Sequence, residues 1–331
     1  MTLPATPLLD FVRARANQAP RAIDEPAGIL RLVGNTPLVR MRNVGREFKH
    51  VEIYAKLESF NPGGSVKDRA ALSMIRDGEA RGALTKDKVI IDSSSGNTGV
   101  AYSLIGAALG YKVALVMPEN VTQARKDITR AFGTELIFSD PLEGSDGAIR
   151  LVRKVVADEP GRFFYPDQYA NAANPRAHEV GTAEEIIADV GARITHFVAG
   201  IGTSGTIMGT GRGLKKFRRD IHVVAAEPAE PLHGLEGLKH MASSIVPPIY
   251  NVGELDEVLS IDTEPAWDLA ERLPHAEGIF VGHSAGAGLL GALKIAERLE
   301  SRGESGVIVT LFPDGGDRYF AKLRWERKSA W

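Results

Sequence analysis

From residue 67 onward, short apolar runs and longer stretches with helical periodicity take turns along the chain. Runs such as 113–117 and 307–311 are apolar throughout, which is typical of parallel strands covered by helices on both faces. Strands that alternate with helices in this way predict parallel sheets joined by helical crossovers. The pattern predicts strands at 51–57, 89–92, 112–117, 135–138, 195–199, 222–226 and 307–312, and helices at 70–82, 97–109, 122–132, 144–158, 176–190, 204–218, 266–273 and 285–302.

A break in this alternation at 160–173 marks the crossing from one set of strands and helices to the next. The chain is therefore predicted to be an α/β protein of two three-layer domains with a cleft between them. We assign residues 60–163 to the smaller domain, and residues 31–59 together with 164–331 to the larger one.

Two further segments stand outside the alternation. Residues 8–18 form a short amphipathic stretch ahead of two prolines, which predicts a helical arm within residues 1–30 that packs on the body or on a partner subunit. Residues 228–253 show little periodicity and are expected to form a long ordered loop, a place where binding residues often lie.

Composition narrows the class of protein. The 331 residues carry 40 basic and 42 acidic side chains, so no charged surface for nucleic acid or for a membrane is predicted. No apolar run approaches the roughly 20 residues of a membrane span, and the first 20 residues lack the apolar core of a secretory signal. Cysteine is absent, which excludes disulfides and thiolate metal sites. The eight histidines show no ligand spacing, so no metal site is expected.

Residues 61–69, NPGGSVKDR, bring a lysine into the first turn of a predicted helix. The glycines and the serine allow a tight turn and a helix cap. The positive end of the helix dipole, and burial in a cleft, would lower the pKa of Lys67 toward the range of a nucleophile that forms Schiff bases. Taken alone, the segment fits an ordinary solvated lysine beside a helix cap as well.

Three more glycine-containing turns each follow a predicted strand and open a predicted helix. The turn at 93–99, SSSGNTG, would present N–H groups and hydroxyls to an anion such as a substrate carboxylate, or would simply cap a helix. The turn at 200–206, GIGTSGT, matches the dinucleotide fingerprint with Glu227 about 20 residues on. It comes too deep in the chain for that fingerprint, and such a turn binds any phosphate.

The third turn, GHSAG at 282–286, has the spacing of a hydrolase nucleophile elbow. A hydrolase would need an acid and then a histidine further along the chain. Asp314 and Asp317 follow, but no histidine lies beyond His283. The hydrolase interpretation therefore fails.

These segments together resemble the pyridoxal-phosphate (PLP) enzymes of the cysteine synthase and cystathionine β-synthase family, in which segments like NPGGSVKDR carry the lysine that binds the cofactor. The resemblance runs from LVGNTPL at 32–38 to PDGGDRY at 313–319, nearly the whole chain. It implies a fold type II PLP enzyme, similar to the tryptophan synthase β subunit, with PLP in the cleft and a mobile smaller domain.

The resemblance also implies roles for individual residues. Lys67 would hold PLP as an internal aldimine and then act as the catalytic base, the loop at 202–206 would bind the phosphate, Asn97 the ring oxygen and Ser284 the pyridine nitrogen. The residues implied to bind the cofactor are Lys67, Asn97, Gly202, Thr203, Ser204, Gly205, Thr206 and Ser284. Those implied to bind the substrate are Ser94, Ser95, Gly96, Asn97, Thr98, Gln168 and Lys239.

Three of these positions carry specific expectations. Ser94 stands where the family usually has threonine, and it keeps the hydroxyl. A neutral partner such as Ser284 makes the ring a weak electron sink, which favours reactions at the β-carbon. Lys239 or His240 is expected either to meet an anionic leaving group such as phosphate or to be a solvated loop residue.

The implied reaction is β-replacement on an activated L-serine, O-acetylserine or O-phosphoserine, in which sulfide adds to an α-aminoacrylate and yields L-cysteine. Cystathionine β-synthase is the second interpretation, and a serine or threonine deaminase or a nicotinamide-dependent oxidoreductase are further ones. The resemblance implies a cytoplasmic homodimer, with serine acetyltransferase as a possible protein partner. A binding subunit without catalysis is disfavoured because Lys67 is retained.

Overall fold

The computed structural model describes residues 28–319. The helix predicted at 8–18 and all but the last three residues of the arm predicted at 1–30 lie outside this part of the chain. The ten strands are β1 (Leu38–Arg40), β2 (Val51–Leu57), β3 (Val89–Ser93), β4 (Lys112–Pro118), β5 (Glu135–Ser139), β6 (Phe163–Phe164), β7 (His196–Gly200), β8 (His222–Pro228), β9 (Glu257–Ile261) and β10 (Gly306–Phe312).

The helices between them agree with the predicted ones to within a few residues at most ends. The helices are α1 (Lys67–Ala80), α2 (Asn97–Leu109), α3 (Gln123–Ala131), α4 (Gly144–Asp158), α5 (Ala173–Ala177), α6 (Ala183–Val190), α7 (Gly205–Phe217), α8 (Thr263–Glu277) and α9 (His283–Ser301). The single helix predicted at 176–190 is in fact α5 and α6 joined by a π-helical turn, His178–Thr182.

The larger of the two sheets has six strands in the order β1-β2-β10-β7-β8-β9. All neighbours are parallel except β1, which pairs antiparallel with β2. Helices cover both faces: Val198 and Val224 pack toward α8 and α9, whereas Phe197 and Val223, one residue earlier on the same strands, pack toward α6 and α7. Both faces are therefore buried, as the continuous apolar runs predicted.

The smaller sheet is fully parallel, with four strands in the order β5-β4-β3-β6. One face packs on α1 and α2 through residues such as Ile75, Tyr102 and Leu115, and the other packs on α4 through Val116 and Val152. The three-layer α/β class predicted for each sheet is confirmed.

Loops at the carboxyl ends of strands from both sheets meet at one place. Asn97 begins α2 shortly after β3 of the smaller sheet, and its side chain donates to Asp314, which follows β10 of the larger sheet, at 2.6 Å. Ligands of open α/β sheets bind at the carboxyl ends of the strands, so this meeting point is where the fold places a site. Between residues 28 and 319, no helix combines the length and the apolar character needed to cross a membrane.

Candidate functional site

A cavity lies at this meeting point and brings together most of the residues predicted to bind the cofactor. Its wall is formed by the turn before α1, the start of α2, the loops after β7 and β10, the start of α9 and part of the loop predicted at 228–253. The lining residues are Val66, Lys67, Asn97, Ala199, Gly200, Gly202, Thr203, Ser204, Thr206, Glu236, Gly237, Leu238, Ser284, Leu311, Pro313, Asp314 and Tyr319.

Lys67 is the first residue of α1, as predicted, and the backbone before it is fixed from two sides. The N–H of Val66 donates to the carbonyl of Pro313 at 2.8 Å, and the N–H of Lys67 donates to Ser65 Oγ at 3.2 Å. Burial lowers the pKa of the Lys67 amine, while the nearby Asp314 carboxylate acts in the opposite direction. The amine therefore lies in the cavity wall with a raised tendency to be neutral, which is the form that attacks a carbonyl carbon.

The loop between β7 and α7 is shaped by close approaches that only glycine permits. A Cβ on Gly202 would lie 2.2 Å from the carbonyl oxygen of Gly237, and one on Gly205 would lie 1.9 Å from Asn174 Oδ1. Ser204 adopts a left-handed backbone conformation, with φ of 70°. The loop is thereby held at the amino end of α7, where free N–H groups and the helix dipole favour a phosphate.

Among the side chains of this loop, one hydroxyl can donate a hydrogen bond to a phosphate. Ser204 Oγ is buried and has no hydrogen-bond partner among residues 28–319. Thr203 Oγ1, in contrast, accepts from Asn174 Nδ2 at 3.1 Å, and Thr206 Oγ1 lies 3.4 Å from His178 Nε2. Burial holds the pKa of His178 well below its usual value, so this imidazole is neutral. The unpaired Ser204 hydroxyl is what a phosphate-binding loop would offer.

Asn97 and Ser284 lie in the cavity wall at the starts of α2 and α9. Asn97 has one amide proton engaged by Asp314, which leaves the other for an acceptor in the cavity. Ser284 is buried and contributes a neutral hydroxyl. An amine, a phosphate-type loop, an amide donor and a hydroxyl thus line one cavity, and this set fits the aldehyde, phosphate, ring oxygen and ring nitrogen of PLP.

Of the segment at 94–98 that is predicted to bind the substrate, Asn97 lines the cavity and the other residues lie beside it. Ser94 Oγ accepts from the N–H groups of Gly96 and Gly99 at 3.3 and 3.0 Å, so it caps α2 as the alternative interpretation expected. Thr98 Oγ1 donates to Gln168 Oε1 at 2.8 Å. The two segments predicted to hold the substrate carboxylate are therefore in contact with each other, next to Asn97.

Lys239 and His240 both have partners within the protein. Lys239 Nζ lies 3.6 Å from Asp146 Oδ1 and 5.2 Å from the centre of the Tyr169 ring. His240 Nδ1 lies 2.9 Å from Ser243 Oγ. The two sites differ in that Lys239 is largely buried at the edge of the cavity, next to Leu238, and His240 is half-exposed.

Several residues of this region were not predicted from the sequence. Asp314 and Tyr319 line the cavity, and Arg318 donates to Asn97 Oδ1 at 2.5 Å. All three belong to PDGGDRY, which we used only as the end point of the resemblance. Burial raises the pKa of Asp314, and hydrogen bonds from Tyr319 and Asn97 act against that rise. His283, the neighbour of Ser284, is buried and stacks on Trp267 at 4.8 Å between ring centres.

A buried network of ion pairs includes Arg69 of α1. It was not predicted from the sequence. Arg69 donates to Glu58 and to both carboxylate oxygens of Glu185, and Lys56 Nζ lies 2.8 Å from Glu185 Oε2. The Arg69 and Lys56 side chains are 4% and 1% exposed, so Glu185 and Glu58 are their counter-charges in a low-dielectric setting. The network joins α6 to the segment that carries Lys67.

Comparisons with known proteins agree with this chemistry. Residues 29–314 match the family model described as "Pyridoxal-phosphate dependent enzyme". The chain is 54% identical over 302 residues to the cysteine synthase of Aquifex aeolicus, with 91% of this chain and 92% of the relative covered.

Solved structures give the same result. The chain is similar to O-acetyl serine sulfhydrylase isoform 3 from Entamoeba histolytica, with a TM-score of 0.88, 35% identity and 95% of each chain covered. It is also similar to the O-acetylserine dependent cystathionine beta-synthase from Helicobacter pylori, with a TM-score of 0.82, 34% identity, and 89% of this chain and 97% of that one covered.

In the described residues, no group of three or more His, Asp or Glu side chains could hold a metal ion.

Proposed function

Because the chain belongs to the family of pyridoxal-phosphate dependent enzymes, we propose that its cavity makes L-cysteine from an activated L-serine and sulfide. The observation that carries the proposal is the position of Lys67, whose amine shares one cavity with the loop at 202–206 and with Ser284. When bound, PLP supplies an electron sink for the charge that develops at the substrate Cα. Family membership favours the phosphate of this cofactor over a dinucleotide as the ligand of the loop.

The chain's residues divide the work by chemistry. Lys67 would hold the cofactor through its amine and, when that amine is free, would take the proton from the substrate Cα. Burial favours the neutral amine that both tasks need. The residues that hold the phosphate are Gly202, Thr203, Ser204, Gly205 and Thr206. Asn97 donates to the ring oxygen.

Ser284 determines which bond breaks next. Its hydroxyl is neutral and, unlike a carboxylate, would not stabilise a positive charge on the ring nitrogen. The ring would therefore withdraw electrons only weakly, and negative charge at the substrate Cα would be short-lived. Prompt loss of the β-substituent is favoured, and the thiol acceptor then adds at the β-carbon. The substrate carboxylate is held by Ser94, Ser95, Gly96, Asn97 and Thr98 of the smaller domain and by Gln168 of the larger one. We propose that the first five move toward the cavity with the smaller domain, residues 60–163, and exclude water.

The second part of the proposal concerns which activated serine, O-acetylserine or O-phosphoserine, is the donor. Lys239 lies beside the cavity, and within residues 28–319 its ammonium pairs with one carboxylate, that of Asp146, at 3.6 Å. A donor with a phosphate leaving group offers this ammonium more negative charge than the acetyl group does. We propose that Lys239, and not His240, strengthens the use of O-phosphoserine.

Cysteine formation with each donor tests both parts. Purified protein loaded with PLP should produce cysteine from sulfide and at least one of O-acetylserine and O-phosphoserine. Lys239→Ala should lower kcat/KM for O-phosphoserine about tenfold relative to O-acetylserine, the size of a charge-assisted hydrogen bond, and His240→Ala should leave the ratio unchanged. A ratio unchanged in Lys239→Ala would refute the role of Lys239. No cysteine with either donor would refute the reaction.

The setting of the enzyme is proposed from the family resemblance. We infer a homodimer in the cytoplasm, with the active-site cavity accessible to the carboxyl-terminal tail of a serine acetyltransferase. We also propose the division into a smaller domain at 60–163 and a larger one at 31–59 plus 164–331. It is supported by the positions of β3 to β5 in the first range and of β1, β2 and β7 to β10 in the second, whereas β6 of the smaller sheet, Phe163–Phe164, crosses the boundary.

A further inference from the structure

The Asn97 side chain is held at both ends of its amide by one short segment of the chain. Asn97 Nδ2 donates to Asp314 Oδ2 at 2.6 Å, and Asn97 Oδ1 accepts from an Arg318 guanidinium nitrogen at 2.5 Å. Both partners lie on the segment that follows β10, more than 200 residues away in the sequence. One amide proton of Asn97 remains, and Asn97 lies in the wall of the cavity.

These two partners permit only one orientation of the amide. A carboxylate only accepts hydrogen bonds and a guanidinium only donates them. Rotation of the Asn97 amide by 180° would set its oxygen against the Asp314 carboxylate and its NH2 against Arg318, so both hydrogen bonds would become repulsive contacts. The orientation that remains leaves an N–H, and not a carbonyl oxygen, for the cavity.

Asp314 is itself fixed in place from several directions. The Tyr319 hydroxyl donates to Asp314 Oδ2 at 2.6 Å, and the backbone of Asp314 bridges Ser65, two residues before Lys67. Gly282 allows the close fit, because a Cβ there would lie 2.3 Å from Asp314 Oδ1. The carboxylate is 1% exposed. The Asp314 carboxylate therefore has little freedom to change its position when a ligand binds.

We propose that Asp314 and Arg318 are positioning residues that present a fixed N–H donor of Asn97 to the cofactor. An obligatory donor at this point binds a ring oxygen that has lost its proton and disfavours one that keeps it, because a hydroxyl would have to turn its proton away. The pair thus selects the ionised form of the ring oxygen. The inference rests on the proposed function, since it concerns how PLP is held in the cavity.

The absorption spectrum of the PLP-loaded protein tests the inference apart from activity. The ionised ring oxygen gives a visible band and the protonated one a near-ultraviolet band. Asp314→Asn keeps the shape but can donate to a rotated Asn97, so the ratio of visible to near-ultraviolet absorbance should fall about fivefold, the worth of one hydrogen bond. The matched control is Asp317→Asn, which removes an exposed carboxylate from the same segment and should leave the ratio unchanged.

A second pair of variants protects the test against misfolding of Asp314→Asn. Arg318→Lys keeps a donor for Asn97 Oδ1 and should retain most of the visible band, whereas Arg318→Met should lose it in favour of the near-ultraviolet band. If the wild type is yellow and Asp314→Asn and Arg318→Met have its band ratio, the positioning role is refuted while the proposed function stands. A wild type that takes up no PLP would instead overturn the proposed function, and this inference with it.

Discussion

At the scale of a single residue, Gly202 lies where the backbone leaves no room for a side chain. The atom that a side chain would meet is the carbonyl oxygen of Gly237, 2.2 Å from the added Cβ. This oxygen is part of the backbone and cannot rotate away as a side chain could. A larger residue at 202 would therefore push the loop away from its present position, in which we propose that it binds the phosphate of PLP.

Gly202→Ala should weaken the binding of PLP by at least about tenfold, because overpacking of this kind costs typically 1 to 3 kcal/mol and falls on the phosphate loop. The measurement is the PLP dissociation constant by fluorescence titration. Gly161→Ala is the matched control, since a Cβ there meets nothing within 4 Å. Equal affinities in Gly202→Ala and the wild type would contradict the assigned role of the loop.

The sequence indicated single site residues wherever a local motif carries the chemistry. Lys67, the loop at 202–206 and Ser284 each lie in a short motif at the start of a helix, so the family resemblance could indicate them, and the structure brings them to one cavity. Asp314 and Arg318 were missed because their roles exist only through Asn97, which is more than 200 residues away. Side-chain pairs at such a separation leave no local pattern.

At the scale of elements, the ion network ties α1, which begins at Lys67, to α6. Burial raises the pKa of Glu185, but hydrogen bonds from Arg69 and Lys56 outweigh it and lower this pKa to about 2. A carboxyl group with a lowered pKa in the folded state stabilises the fold above its ordinary pKa, and this contribution is lost as the pH falls toward the lowered value. The network should therefore stabilise the protein at neutral pH and fail in acid.

Glu185→Gln should lower the free energy of unfolding by about 3 kcal/mol at pH 7, because buried Arg69 loses one of its two carboxylate partners and buried Lys56 loses its nearer one. The difference from the wild type should shrink as the pH falls from 4.5 toward 2. Denaturant unfolding at several pH values measures it. Asp158→Asn, which breaks an exposed pair with Lys154, is the control and should cost less than about 0.5 kcal/mol. If the difference in the free energy of unfolding between Glu185→Gln and the wild type did not change with pH, Glu185 would not be the ionised group that we assign.

Long elements were predicted well and short ones were not. Strands β1, β6 and β9 are absent from the prediction, because two or three residues show no periodicity and β9 is half-exposed with charged Glu257 at its start. The π-helical turn within the helix predicted at 176–190 was also missed. It places His178 next to Thr206 of the phosphate loop, a contact that depends on packing and not on helical propensity.

At the scale of the whole molecule, the two sheets are joined across the cavity by charged contacts. Arg125 of α3 pairs with Glu236, and Asp146 of α4 with Lys239. In each pair one member belongs to the smaller sheet's helices and the other to the loop at 228–253, so this loop contacts both halves. Closure of the smaller domain as proposed would have to keep or rearrange both pairs.

The measurement that tests the account most directly is an absorption spectrum of the purified protein with PLP, compared with that of Lys67→Ala. The wild type should show a visible band that changes on addition of O-acetylserine or O-phosphoserine and returns on addition of sulfide, because the donor's β-substituent leaves and sulfide then completes the reaction. Lys67→Ala should lack the wild-type band and its response to sulfide. A wild-type protein that takes up no PLP, or a Lys67→Ala variant that responds like the wild type, would contradict the central claim.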